Sequence, residues 1–205
     1  MHYGHTHPYS HLIQDQAALG VDTHMTFSSD ILTQARLWLQ VTRRKLFEQV
    51  LDRWHLAPHN PMSVAQAFKL ATRSGARALR RDDLGVIAEG AKADLVVWDG
   101  RSPALLGWRD PVAAVILHAS VADVLHVMVD GKFVKKDGKL AVEDYEKTKE
   151  KFLESAERLQ DKYAATPLPH AEGTWPFSGV EYEDAIQVDV QPGPGTGYDE
   201  IFVEN

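Results

Sequence analysis

The sequence predicts an α/β unit followed by a small, largely antiparallel sheet, and three observations support this fold class. A short apolar run at 17–21 leads through a polar loop into a long stretch with apolar residues at helical spacing. A second helical stretch follows Pro58 and Pro61. Beyond residue 80 the pattern changes to short runs rich in Val, Ile and Leu, with glycine-containing turns between them.

The α/β unit begins with Ala17–Val21, which we interpret as a buried strand ending at Asp22, although its periodicity suits a helix equally well. Residues 28–30 are of types that cap helices, so a long helix is predicted over 31–54. Its apolar face is broad, which indicates packing against a large surface. This face comprises Ile31, Leu32, Ala35, Trp38, Leu39, Thr42, Leu46 and Val50.

The second half of the body is expected to be mainly β-structure. Ser63 can cap a further helix over 64–79. The dipeptides Asp130-Gly131 and Asp137-Gly138 are strong turn signals, the first between two β-prone runs. Strands are predicted at Leu84–Ala88, Asp94–Trp98, Val112–Leu117 and Val124–Val129.

Charge is concentrated at the C-terminal end. A charged helix is predicted over Val142–Tyr163, and the segment from Thr166 to Asn205 holds eight acidic residues and no Lys or Arg. The first 165 residues, with 21 acidic and 22 basic side chains, are nearly neutral, and the net charge of the chain is −7. No basic stripe is available for nucleic acid, so binding to nucleic acid is not expected. We expect the tail to be largely disordered or draped, with Trp175, Phe177 and Ile186 among its possible anchors.

Composition also bounds the cellular setting. The chain lacks cysteine, which excludes disulfides and thiolate metal sites and fits a reducing compartment. No apolar run approaches the roughly 18 residues that span a bilayer, and the N-terminus has no secretory pattern. We therefore expect a cytoplasmic protein without membrane contact.

Asp22 is the first candidate for chemistry. A carboxylate at the C-terminal end of a buried strand, followed by a polar loop and a long helix, lies where an α/β barrel places catalytic residues. The alternative is that Asp22 is an ordinary turn residue, since Asp commonly follows strands. His24 lies in the same loop and could line a substrate pocket.

The N-terminal histidines are the second candidate. His5 and His7 would lie on one side of a strand, which suits Zn²⁺. Pro8 follows directly and no apolar strand precedes them, so a solvated loop is the favoured interpretation, with metal buffering by this loop as a weaker alternative. His118 and His126 lie in strand patterns, where a hydrogen-bonded structural role is the default.

Several segments in order resemble the C-terminal portion of amidohydrolase-superfamily enzymes, closest to the cytosine deaminase and chlorohydrolase-like branch. The resemblance covers about residues 1–140. Its main segments are His5-Thr-His7, Leu19-Gly-Val-Asp22, Asp30-Ile-Leu-Thr-Gln-Ala-Arg36, Leu84-Gly-Val-Ile-Ala-Glu-Gly-Ala-Lys-Ala-Asp-Leu95 and Val127-Met-Val-Asp-Gly-Lys132.

The resemblance implies that residues 1–80 are the last β/α unit of a TIM-type barrel and that residues 81–140 are the C-terminal half of a small composite β-sandwich. Residues 141–165 would form the charged helix and 166–205 the acidic tail. It also implies that Asp22 is a metal ligand, for zinc or alternatively iron, and accepts a proton from metal-bound water. Asp94, within Gly90–Leu95, would be structural.

The resemblance also predicts what the chain lacks. The family's first-strand His-x-His pair and middle-strand histidines would precede Met1, and His5-Thr-His7 does not replace them. The barrel would then be incomplete and the chain inactive by itself as a hydrolase of non-peptide C–N bonds in nitrogen heterocycles or amidines. The alternative is a non-catalytic interaction module, or pseudoenzyme fragment, that pairs with a complementary chain or forms a homo-oligomer.

Overall fold

The computed structural model describes residues 14–21, 28–167 and 170–182, which belong to two compact units, residues 1–143 and 144–205. The first unit contains α1 Ile31–Leu51, α2 Val64–Ala71, α3 Arg73–Ala78, β1 Leu95–Trp98, α4 Pro111–Leu117, β2 Val124–Val129, β3 Lys132–Lys136 and β4 Lys139–Leu140. Short 3-10 turns lie at Gln14–Gln16 and Val121–Asp123. The second unit contains α5, Tyr145–Ala164.

The long helix is confirmed, with Asp30 as its N-cap. The Asp30 backbone is extended, its Oδ1 accepts the N–H of Thr33 at 2.8 Å, and its Oδ2 accepts the Thr33 hydroxyl at 2.6 Å. The helix ends at Leu51, three residues before the predicted end, and Trp54 then takes a left-handed conformation with φ of 57°. The start of α1 is therefore fixed by side-chain capping.

The single helix predicted over 64–79 is wrong, because the structure has two helices there. Ser63 caps α2 in a capping box with Gln66, as its position predicts. At Thr72 the backbone leaves helical geometry, with φ of −132° and ψ of −96°. Its hydroxyl donates to the Phe68 carbonyl at 2.7 Å, which occupies an acceptor at the end of α2.

The strands predicted at 94–98 and 124–129 are confirmed as β1 and β2. In the described part of the chain they belong to a four-stranded antiparallel sheet of order β1-β2-β3-β4. Asp130 and Gly131, with φ of 48° and 77°, connect β2 to β3, and Asp137 and Gly138, with 49° and 75°, connect β3 to β4. Two successive positive φ values characterise the tight hairpin turn that Asp-Gly favours.

The strand predicted at 112–117 is wrong, because this run forms helix α4. Asp110 caps it by accepting the N–H groups of Val112 and Ala113 at 2.9 and 3.0 Å, and Pro111 occupies the first turn. A short apolar run is compatible with helix or strand, and the preceding Asp-Pro pair decides for helix here.

The strand predicted at 84–88 is also wrong. Gly85 has φ of +68° and lies against Arg73, where an added Cβ would meet the Arg73 Cα at 3.0 Å. The Arg73 guanidinium donates to the carbonyls of Asp82 and Leu84. A side chain therefore satisfies backbone groups that a neighbouring strand would otherwise bind.

Residues 17–21 do not form the predicted strand. They run as an irregular segment in which the Leu19 N–H donates to the Leu70 carbonyl at 3.2 Å. A strand needs a neighbouring strand to pair with, and the described residues provide none beside this segment.

The core of the first unit is built by helices and loops. Its buried hydrophobic residues come mainly from α1, α2, α4 and adjoining segments, and none of the four described strands contributes one. Leu39 of α1 and Ile116 of α4 are its largest fully buried side chains. The sheet therefore lies at the margin of this core.

The second unit is dominated by the predicted charged helix, now bounded as α5, which has no buried residue. Beyond it, Thr174 bridges to Glu181, and the ring of Trp175 lies 5.1 Å from that of Tyr182. This stretch of the predicted disordered tail is thus ordered locally. Phe177 is fully exposed and does not anchor it, and Ile186 lies outside the described residues. None of the helices in the described ranges has the length and hydropathy needed to cross a membrane.

Candidate functional site

The principal candidate residues lie outside the described part of the chain. Asp22 and His24 belong to residues 22–27, and His5 and His7 belong to residues 1–13, neither of which the structure describes. The assignment of Asp22 as metal ligand and base, and of His24 as a substrate contact, therefore stays a prediction. The segments on either side of 22–27 are described.

Both flanks of the Asp22 segment are held by the helical core. Before it, Leu19 is tied to Leu70 of α2 and packs, partly buried, against the core cluster. After it, the Ser28 hydroxyl donates to the Asp30 carbonyl and accepts from the Gln34 amide, both at 3.2 Å. The two ends of the segment are thus fixed to α1 and α2.

Asp30 is the first described carboxylate after Asp22 in sequence, and its environment favours its charged form. Partial burial acts to raise the pKa of Asp30, but hydrogen bonds from the side chain and backbone of Thr33 outweigh it. The pKa is therefore below its usual value. Both oxygens serve the helix cap, so Asp30 is a structural anion rather than a base for catalysis.

The described residues do not assemble a metal site. Among them, no three His, Asp or Glu side chains lie close enough together to hold a metal ion. His118 was predicted in a strand but caps the C-terminus of α4 and is exposed. His126 has the structural role expected of it, since its Nδ1 accepts the Asp137 N–H at 3.1 Å.

Asp94 is structural, as the resemblance implies. Its Oδ1 accepts the Asp130 N–H at 2.7 Å, which ties the start of β1 to the β2–β3 turn. The Lys92 ammonium donates to the Asp130 carboxylate at 2.8 Å, and the Lys92 N–H donates to the Asp83 carbonyl at 2.9 Å. The segment Gly90–Leu95 therefore positions the sheet against the preceding loop.

An apolar groove of about 610 Å³ lies between the helices and one face of the sheet in the first unit. We call it the sheet groove. Its walls include Ile31, Phe68, Ile87, Val96, Trp98 and Val127. The two charged residues that line it are Asp30 and Asp94, whose carboxylates already make the structural hydrogen bonds described above. The sheet groove therefore offers apolar contact rather than acid–base chemistry.

Comparison with known families and curated proteins gives a consistent result. The model of the amidohydrolase family matches residues 11–134. A 5′-deoxyadenosine deaminase of Methanopyrus kandleri is 38% identical over 96 residues, which are 47% of this chain and 22% of that protein. A 5-methylthioadenosine/S-adenosylhomocysteine deaminase of Pyrococcus abyssi is 36% identical over 141 residues, or 67% of this chain and 30% of that protein. The chain thus spans less than a third of either relative.

One solved structure adds a likeness of fold. An adenosine deaminase from Xanthomonas campestris with bound zinc matches 67% of this chain and 28% of its own, with a TM-score of 0.51 and 23% identity. The zinc complex of the atrazine chlorohydrolase TrzN from Arthrobacter aurescens matches 57% of this chain and 24% of its own, with a TM-score of 0.47 and 26% identity.

Proposed function

Because the chain belongs to the amidohydrolase family, we propose that it is the C-terminal part of a metal-dependent hydrolase that acts on non-peptide C–N bonds. The match of the family model to residues 11–134 carries this proposal. In it, residues 1–80 form the last β/α unit of a TIM-type barrel. Residues 81–140 form the C-terminal half of a small β-sandwich beside it.

Asp22 is the proposed centre of the chemistry. It follows Leu19-Gly-Val, in the position that the family uses for its last-strand carboxylate. A zinc ion, or alternatively iron, would lower the pKa of a bound water to about 7 and so supply a nucleophile near neutral pH. A carboxylate oxygen of Asp22 accepts the proton of the attacking water and returns it to the leaving group. His24, two residues further on, contacts the substrate.

The proposed substrates are nitrogen heterocycles or amidines that lose an amino group, or a halide, from an electron-poor carbon. Water adds its oxygen to that carbon, the C–N bond breaks, and the proton held by Asp22 leaves with the amine as ammonia. The curated relatives described above support this class, because both are named as deaminases of adenosine derivatives.

We further propose that this chain is inactive by itself. A catalytic zinc site uses three protein ligands, and the chain offers one proposed ligand, Asp22. Titration with Zn²⁺ in a calorimeter should show weak binding, and incubation with Zn²⁺ and 5′-deoxyadenosine should release no ammonia. Turnover by the chain alone that Asp22→Asn abolishes would contradict the proposed inactivity and leave the role of Asp22 intact.

The role of Asp22 is tested directly in a chimera. Residues 11–134 replace the corresponding C-terminal segment of the Pyrococcus abyssi deaminase, which supplies the rest of the barrel. The chimera should deaminate 5-methylthioadenosine, and Asp22→Asn should reduce kcat by at least about a hundredfold, since loss of a positioned base costs 10²–10⁴-fold. Asp30→Asn is the matched control and should retain activity, because Asn also caps helices. An active chimera that carries Asp22→Asn would overturn the assignment.

A second candidate function is an interaction module without catalysis. The open sheet groove and the edge strand β1 beside it favour this function, since apolar surface and strand edges bind other polypeptides. Light scattering after size exclusion tests it. Assembly with a partner chain, in the absence of zinc-dependent turnover by the assembly, would favour the module over the hydrolase.

A further inference from the structure

The N-terminal end of α1 holds a side-chain contact that the helix itself does not need. The Ser28 hydroxyl accepts a hydrogen bond from the Gln34 amide Nε2 at 3.2 Å and donates one to the Asp30 carbonyl at the same distance. The helix already has a cap, because the Asp30 carboxylate accepts from the N–H and the hydroxyl of Thr33. The consequence of the Gln34–Ser28 bond therefore falls on the chain in front of the helix.

Helical geometry places Gln34 for this role. It is the fourth residue of α1, and the side chains of a helix point back towards its N-terminus. Its backbone N–H donates to the Asp30 carbonyl at 3.4 Å, so that one carbonyl receives both this N–H and the Ser28 hydroxyl. Ser28 and Gln34 are both partly buried, which shields their bond from competing water. Ser28 is thus attached to the first turn of α1 at two points.

The segment 22–27 has one anchor on each side, and the two anchors lie near different proposed functional residues. On the N-terminal side, the Leu19 N–H donates to the Leu70 carbonyl at 3.2 Å, and Asp22 follows Leu19 by three residues. On the C-terminal side, Ser28 follows His24 by four residues. In sequence, Leu19 is therefore the nearer anchor of Asp22, and Ser28 is the nearer anchor of His24.

We propose that Gln34 is a positioning residue for the substrate contact assigned to His24, and that it acts by holding Ser28 against the first turn of α1. The proposal rests on the proposed hydrolase function. Without the Gln34 bond, the chain between the two anchors gains conformational freedom, which binding of substrate must then remove. The cost falls on the affinity for substrate, whereas Asp22 keeps its nearer anchor at Leu19.

The kinetic test uses the chimera that carries residues 11–134 in the Pyrococcus abyssi deaminase. Gln34→Leu keeps the approximate size of the side chain and removes its donor. It should raise KM for 5-methylthioadenosine about three- to tenfold, the range that one hydrogen bond supplies, and change kcat by less than about twofold. A fold that was merely loosened would lower the active fraction, and hence kcat, without raising KM. An unchanged KM would overturn the proposal.

Substitutions at Ser28 show whether the hydrogen bond is the cause. Ser28→Ala should raise KM at least as much as Gln34→Leu, and Ser28→Thr should keep KM close to that of the unchanged chimera because the hydroxyl remains. The double variant should be no worse than Ser28→Ala alone, since both changes remove the same bond. Gln40→Leu is the matched control, at an exposed glutamine of the same helix, and should alter neither constant. Additive losses in the double variant would contradict an action through Ser28.

A second measurement uses the full chain without metal or substrate. Backbone relaxation measured by NMR gives the order parameters of the Ser28 and Ser29 amides. Both order parameters should fall in Gln34→Leu and stay unchanged in Gln40→Leu, and those in the middle of α1 should not change in either variant. Equal order parameters in Gln34→Leu and the unchanged chain would show that the Gln34 amide does not hold Ser28, which overturns the proposal whatever the kinetics.

Failure of this proposal is distinct from failure of the hydrolase function. Full activity of the chimera with Asp22→Asn would remove the function on which the proposal rests. If Asp22→Asn abolishes turnover and Gln34→Leu keeps the KM of the unchanged chimera, the positioning role alone is wrong. His24→Ala tests the route, because it should raise KM at least as much as Gln34→Leu. A KM that His24→Ala leaves unchanged would rule out positioning through His24.

Discussion

Arg36 connects two helices of the core through backbone carbonyls. Its Nε donates to the Ile116 carbonyl at 3.0 Å and its Nη2 to the Ala119 carbonyl at 2.8 Å. These acceptors lie at the C-terminal end of α4, where a helix leaves carbonyls without intrahelical partners. Arg36→Met should lower the free energy of unfolding by about 1–3 kcal/mol, because partly buried acceptors lose a charged donor. Urea denaturation measures the change.

The matched control for Arg36 is Arg44→Met on the same helix. Arg44 pairs with Glu48 at 2.6 Å, but its side chain is 80% exposed. Exposed pairs of this spacing contribute little to stability, so Arg44→Met should cost less than Arg36→Met. If the two variants lost equal stability, the carbonyl contacts of Arg36 would not be the cause of its effect.

The carboxylate of Asp83 makes the free energy of unfolding depend on pH. The hydrogen bond from Arg81 holds the pKa of Asp83 at about 2, well below its usual range. A carboxyl group whose pKa is lowered in the folded state stabilises the fold at pH values above its unfolded-state pKa of about 3.9. This stabilisation is lost as the pH falls through about 2. The stability difference between the unchanged chain and Asp83→Asn should therefore shrink from pH 4 to pH 2. Urea midpoints at several pH values measure it.

Salt is the control for the Asp83 prediction. Asp83 and Arg81 are at the surface, with side chains 38% and 47% exposed, so screening should reduce the difference at pH 5. A difference between the two proteins that is constant from pH 5 to pH 2 would show that Asp83 acts through packing instead of charge.

At the scale of elements, the helices and the hairpin that begin at a capping residue or an Asp-Gly turn were predictable from the sequence. Asp30, Ser63 and the Asp130-Gly131 turn specify backbone geometry through their own side chains or their positive φ, and the structure has α1, α2 and the β2–β3 hairpin there. The Gly90–Leu95 segment entered the argument through resemblance, and its structural role for Asp94 agrees with the hydrogen bonds found.

One mispredicted element has an ambiguous apolar pattern, and another depends on a contact with a residue outside its own segment. The run 112–117 is apolar throughout, so its periodicity does not separate strand from helix, and the Asp110-Pro111 pair in front of it favours helix. Residues 84–88 are bound by Arg73, a partner that no local pattern identifies. For the candidate site, the strand-end position and the resemblance point to Asp22, and its place in the same loop points to His24. A metal site needs ligands that converge in space, and the described residues hold no such cluster.

The side chain of Asp94 connects two elements of the sheet. Its Oδ1 accepts the Asp130 N–H at 2.7 Å and so joins β1 to the β2–β3 turn. Asp94→Ala should lower the free energy of unfolding by about 0.5–1.5 kcal/mol, because the exposed N–H exchanges its carboxylate partner for water. Asp94→Asn keeps an acceptor oxygen and should recover most of the loss. In the chimera with the Pyrococcus abyssi deaminase, either change should leave the affinity for zinc unaltered, and a loss of zinc in Asp94→Asn would show that Asp94 is more than structural.

At the scale of the whole first unit, burial is divided unequally between helices and sheet. Leu39 and Ile116 are 0% exposed and belong to α1 and α4, whereas no residue of the four described strands is buried. Local opening is easiest where few apolar side chains are buried. The sheet should therefore open at a lower free energy than the helical core.

Native-state hydrogen exchange tests this division with one variant and its control. Leu39→Ala should lower the free energy of unfolding by about 2–5 kcal/mol, because it leaves a cavity in the core. Leu37→Ala, 50% exposed on the same helix, should change it by less than about 1 kcal/mol.

The amides of α1 should lose protection in Leu39→Ala by nearly the full destabilisation, since they exchange through global unfolding. The amides of β1 and β2 should lose much less, because they exchange through local opening that leaves the helices folded. An equal loss in helix and sheet would mean that the unit opens as a single cooperative body, and β1 would then be held more firmly than its burial indicates.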